Sequence, residues 1–149
     1  MYENWPANFA VVGATAFAVM LSVLVHYEGL ILISRGLERI HARLQRIKVL
    51  YAIISVLALH VLEIWIFGAV IWVILHWPEA GSLHGGASTL LFDAVYLSAI
   101  TYSTVGYGDL APTGPLRFLA GTEALTGFVL ITWSASFTYL EMERFWKRG

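Results

Sequence analysis

Thr104-Val105-Gly106-Tyr107-Gly108-Asp109 is the stretch on which the reading of this chain turns. It follows an apolar run from Leu90 to Ser103 and precedes a hydrophobic segment long enough to cross a membrane. A cation leaving water needs its hydration shell replaced by oxygens. Backbone carbonyls supply them when successive ones face a common axis, but ordinary strand geometry alternates them. Turning them to one side takes conformations closed to residues with a Cβ, and Gly106 and Gly108 permit these. Thr104 adds a hydroxyl below the carbonyls. Val105 and Tyr107 are expected to point away from the axis and wedge the loop against its surroundings.

The rest of the chain has membrane composition. Of its 149 residues, 58% are hydrophobic and only 13% are charged. That leaves room for three spanning helices and a loop, and for no soluble regulatory domain. Without cysteine there is no disulfide, thiol redox or cysteine-ligated metal chemistry. No nucleophile–base set or metal cluster points to an enzyme, and nothing points to nucleic acid. The N-terminus has no basic region ahead of its apolar run, which argues against a cleaved signal peptide.

Segment one runs from about Asn8 to Ile33, with Trp5 and Pro6 at its interface. Segment two runs from about Val49 to His76, and segment three from about Leu116 to Leu140. Arg35, Arg39, Arg43, Arg46 and Lys48 fall between the first two; Arg144, Lys147 and Arg148 follow the third. Of nine Lys and Arg, only Arg117 lies elsewhere. The positive-inside rule then puts 34–48 and the C-terminus in the cytoplasm, the N-terminus outside, and the 104–109 loop on the outer side. Within 34–48, Leu37, Ile40, Leu44 and Ile47 recur at helical spacing. The expected element is a basic amphipathic helix along the inner leaflet, a topology anchor or a lever that couples span one to the gate. A voltage sensor fits less well, because these arginines lie in a polar segment.

Thr101 to Asp109, with the apolar segments on either side, resembles the pore module of the tetrameric potassium channels. The small bacterial members, with two helices around one pore loop, are the nearest likeness. It extends over about 50 to 142 and leaves the first 48 residues unexplained. Together with the apolar first segment, the resemblance implies an all-α membrane protein with three transmembrane helices, a re-entrant pore helix and a selectivity-filter loop. It implies a homotetramer in a lipid bilayer, in a cell membrane of bacterial inner-membrane type. Residues 1–33 would hold the extra helix, 34–48 the linker, 49–143 the pore domain and 144–149 a cytoplasmic tail. Within the pore domain it implies an outer helix 49–76, a turret 77–88, a pore helix 89–103, a filter 104–109 and an inner helix 116–140. Ser88 or Thr89 would cap the pore helix.

Potassium ions would be held by oxygens of Thr104, Val105, Gly106 and Tyr107, with Gly108 and Asp109 shaping the mouth and no organic cofactor. Tyr96, Ile100 and Ser103 would support the filter, with Tyr102 packed behind it, and Gly127 would be the gating hinge of the inner helix. Ile100 stands where many relatives carry a glutamate, so the carboxylate pair with Asp109 is missing and Tyr96 becomes the donor to Asp109. The implied function is passive, selective potassium conduction. A weakly selective cation channel and a non-conducting regulatory subunit are the alternatives.

Five polar groups stand apart from the filter. His60 and Glu63 lie one turn apart near the middle of segment two, and a midplane carboxyl is costly unless partnered or protonated. Ser22 and His26 reach a similar depth on segment one, so a polar seam is expected between the two spans. It serves packing or proton sensing. As a metal site, His60 and Glu63 supply two ligands and no evident third. Glu123 is a further intramembrane carboxyl, expected near the pore helix and bonded to a Thr or Tyr.

Overall fold

The computed structural model describes residues 4–40, 45–85 and 91–146. Four α-helices dominate it: α1 (Trp5–Arg39), α2 (Gln45–Leu75), α3 (Leu91–Tyr102) and α4 (Leu116–Trp146). Trp5–Arg39, Arg46–Leu75 and Leu116–Arg144 are each long and apolar enough to cross a membrane. At 12 residues, α3 is about 18 Å long and falls short of a hydrocarbon core about 30 Å thick.

Asn4 caps α1 by accepting from the Ala7 amide at 3.4 Å, and a proline sits in the first turn. The helix then runs for 35 residues, about 52 Å, past the expected end at Ile33. It stops after Arg39, where Ile40 turns extended. The expected separate helix over 34–48 is not what forms. Its described residues extend α1 at one end and begin α2 at the other, while 41–44, Arg43 among them, lie outside the described residues. Arg35, Glu38 and Arg39 favour helix, so leaving the apolar stretch does not end the turns. α2 likewise starts before the expected Val49, though it ends one residue short of His76, and α4 runs on past the expected Leu140.

α1 packs along one stripe. Ala7, Val11, Thr15, Ala18, Ser22, His26, Leu30, Ile33 and Leu37 are buried at three- and four-residue spacing. Small side chains in that stripe let the helices approach closely. α1 contacts both α2 and α4. In the lower half, Leu30, Ile33 and Leu37 meet Ala52, Val56 and Leu59 of α2.

α3 is seated between α2 and α4. Phe67 and Ile71 of α2, Ala94, Leu97, Ile100 and Tyr102 of α3, and Leu116, Leu119 and Leu130 of α4 form the main core. Gly68 lets α2 touch α3, since a Cβ there would stand 2.8 Å from the Val95 Cα. The turret contains a 3-10 turn (Pro78–Ala80) and a short strand β1 (Leu83–His84). β1 pairs antiparallel with β2 (Ala111–Pro112), Leu83 opposite Pro112. The expected pore-helix caps Ser88 and Thr89 lie outside the described residues, as do Lys147 and Arg148.

Candidate functional site

The 104–109 loop hangs from the C-terminal end of α3. The Ser103 and Thr104 amides bond back to Ala99 O (3.2 Å) and Thr101 O (2.9 Å), and the Gly106 amide reaches Ile100 O at 3.0 Å. Ile100 thus supports the loop through its carbonyl, while its side chain joins the core. Ser103 Oγ donates to Ala99 O at 2.7 Å.

Thr104, Gly106 and Gly108 take φ of +59°, +55° and +81°, and Val105 and Tyr107 between them do not. A threonine at positive φ is strained, and such strain persists only where the surroundings impose it. Reversing handedness at every second residue undoes the alternation of an ordinary strand. Residues 103–109 are all exposed in the single chain. Val105 is 55% and Tyr107 74% exposed, so the expected wedging of these two is not made within one chain.

Beyond the loop, Tyr96 Oη donates to Asp109 Oδ2 at 2.8 Å, as expected of this pair. The following strand is clasped to the turret. The Thr113 amide donates to Ser82 O at 2.8 Å, and the two hydroxyls lie 2.7 Å apart. Asn4 at the start of α1 bonds Glu79, which brings the N-terminal end of α1 beside the Pro78–Ala80 turn.

Behind the loop lies a buried polar cluster. Tyr102, the last residue of α3, is 1% exposed, and its hydroxyl donates to Glu63 of α2. Glu63 Oε1 lies 2.8 Å from His26 Nδ1 of α1, and Glu63 Oε2 lies 3.0 Å from His60 Nδ1. His60 Nδ1 also lies 3.0 Å from the Tyr102 hydroxyl. The seam between α1 and α2 therefore forms with His26, His60 and Glu63 together, the carboxyl partnered on both oxygens. His26 reaches α4 as well, with its Nε2 3.4 Å from Ser134 Oγ and its ring 5.1 Å from that of Trp133.

Glu123, grouped in the sequence with this seam, belongs to a different contact. Its Oε1 is 2.5 Å from Ser98 Oγ of α3, which is 2.8 Å from Ile64 O of α2. The residue lies beside the short helix as expected, bonded to a serine. Gly127 packs so closely on Tyr102 that a Cβ would meet its carbonyl group and ring.

One ring nitrogen each of His26 and His60 and a Glu63 oxygen lie within 4.8 Å of one another, a donor set of the kind that can hold a metal ion. The third ligand that spacing alone did not supply comes from α1. All three groups are already engaged in hydrogen bonds with one another or with Tyr102. Tyr102 is the functional residue that sequence reasoning placed but did not connect. A buried tyrosine hydroxyl ordinarily has a partner, and a midplane carboxyl needs one. Those two needs together were the available signal.

Residues 59–142, more than half of the chain, match the family described as Ion channel, and the chain belongs to that ion channel family. It is a multi-pass membrane protein of that class. Over 53 residues it is 42% identical to Protein LctB of Geobacillus stearothermophilus and, again over 53 residues, 42% identical to Protein LctB of Bacillus caldotenax. The matched stretch is 36% of this chain and 40% of each relative, so the chain spans less than half the length of the curated relatives it matches. No solved structure matches it.

Proposed function

We propose that this chain is a potassium-selective channel in which four copies bring their 104–109 loops around one axis. The observation that carries this is the alternation of positive φ at Thr104, Gly106 and Gly108 within Thr-Val-Gly-Tyr-Gly. In this reading the backbone oxygens of Thr104, Val105, Gly106 and Tyr107, with the Thr104 hydroxyl, replace the shell of a dehydrated potassium ion. One chain supplies one loop, and a ring of about four encloses an ion, hence a homotetramer. The exposed Val105 and Tyr107 then have neighbouring copies to pack on.

α3 is the pore helix, entering and leaving on one side. Its C-terminal end faces the cavity, where four partial negative charges favour a cation. α4 lines that cavity, with Gly127 as the point where it bends. The loop opens outward and the basic ends of α1, α2 and α4 face the cytoplasm of a cell membrane.

The test is the reversal potential of the reconstituted protein with potassium on one side of a planar bilayer and sodium on the other. Reversal near the potassium equilibrium potential is the expected result. Reversal near zero would replace this reading with a weakly selective cation channel.

A further inference from the structure

Tyr102 stands two residues before Thr104, is contacted by α2 and α4, and is linked to α1 through Glu63. Its hydroxyl bonds Glu63 on α2, its backbone lies against Gly127 on α4, and Glu63 is in turn held by His26 on α1. We infer that Tyr102 is a positioning residue for the base of the filter, and that α1 grips it through His26 and Glu63. The N-terminal helix thereby acts on the conduction site without touching it. This inference rests on the reading of 104–109 as a filter.

The geometry makes the chain directional. Glu63 has two oxygens, and His26 occupies Oε1 while Tyr102 and His60 share Oε2. With Oε1 tied to α1, the carboxyl group cannot swing away from Tyr102 without breaking a buried bond, since His26 and Glu63 are each 0% exposed. His26 is itself fixed from α4 by Ser134 and Trp133. On the other side, Tyr102 closes α3, and the helix bonds the Thr104 amide to Thr101 O and the Gly106 amide to Ile100 O. A shift of Tyr102 therefore moves the carbonyls on which the first turns of the loop depend. His60, 12% exposed by side chain, touches both Glu63 and Tyr102 and steadies the bond between them.

The experiment uses the full chain, reconstituted, with Tyr102→Phe, His26→Leu, the double variant and His26→Gln, which keeps an N–H donor. Amide hydrogen exchange over 103–108 reads the loop whether or not current flows, and the potassium-to-sodium permeability ratio reads its consequence. Tyr102→Phe and His26→Leu should each speed exchange at the Thr104 and Gly106 amides about tenfold, the effect of losing one net hydrogen bond. The permeability ratio should fall with them. The double variant should add little to either single one, because both act on one chain of contacts. His26→Gln should recover most of the protection.

Exchange at 103–108 unchanged in Tyr102→Phe would overturn the inference. So would a His26→Leu effect confined to α1 and α2, or single effects that add in the double variant. The wild-type reversal potential judges the filter reading separately, so a failed clamp and a failed filter give different results.

Discussion

Two buried carboxyl groups sit behind the same short helix, and their surroundings ask opposite things of them. Glu63 accepts from Tyr102 and is paired on both oxygens with ring nitrogens, of His26 on Oε1 and of His60 on Oε2. Ser98 has one hydroxyl hydrogen but two oxygens near it, Ile64 O at 2.8 Å and Glu123 Oε1 at 2.5 Å. For both contacts to be hydrogen bonds, the Glu123 carboxyl must supply the second hydrogen. An amide can do the same, so Glu123→Gln should change stability by no more than about 1 kcal/mol. Glu63→Leu instead strands several buried donors at about 1–3 kcal/mol each, a loss of about 3 kcal/mol or more. Thermal unfolding of the two variants in micelles checks this, and equal losses would refute the assignment of donor and acceptor. Much of this chemistry was legible. The one-turn spacing of His60 and Glu63 and the depth of His26 place three of the groups. Tyr102 and Ser98 were not legible as partners, because only the seating of α3 between α2 and α4 brings them to these carboxyls.

At the scale of helices, close approach is set by positions without a side chain. Gly68 is where α2 meets α3, and an added Cβ would stand 2.8 Å from backbone at Val95, which cannot turn aside. Gly68→Ala should therefore force the two helices apart and cost about 1–3 kcal/mol. Gly13 on α1 is the contrast, exposed and with nothing within 4 Å of an added Cβ. Gly13→Ala should be neutral or slightly stabilising, by up to about 1 kcal/mol of helix propensity. Comparing unfolding temperatures of the two variants tests the packing, and a tolerated Gly68→Ala would contradict it. The spans themselves were readable from three apolar runs. Their ends were not, because a helix continues as long as residues such as Arg35, Glu38 and Arg39 support it, whatever the thickness of the hydrocarbon. Nor was the β1–β2 clasp, since two-residue strands carry no periodicity to read.

A single copy leaves large side chains without cover: Phe92 is 73% exposed, Tyr107 74%, Leu125 65% and Phe128 57%. Some of this surface faces lipid, but Tyr107 belongs to the loop, where a neighbouring copy is the natural cover. If four loops form one ring, a fault in any of them is shared by all. Gly106 provides such a fault, because its φ of +55° leaves room for a Cβ within one chain and only the backbone conformation objects. Alanine there costs about 1–2 kcal/mol per copy, and about four times that when all copies carry it. Gly106→Ala alone should therefore give assembled protein without potassium flux. Mixed in equal amounts with wild-type chain, it should leave about one-sixteenth of the wild-type flux, since only rings of four wild-type copies conduct. Titrating the mixing ratio in proteoliposomes reads the exponent directly. A fall in proportion to the wild-type fraction would mean that each chain conducts alone. A fall with its square would mean a pair, and either result would end the four-fold ring.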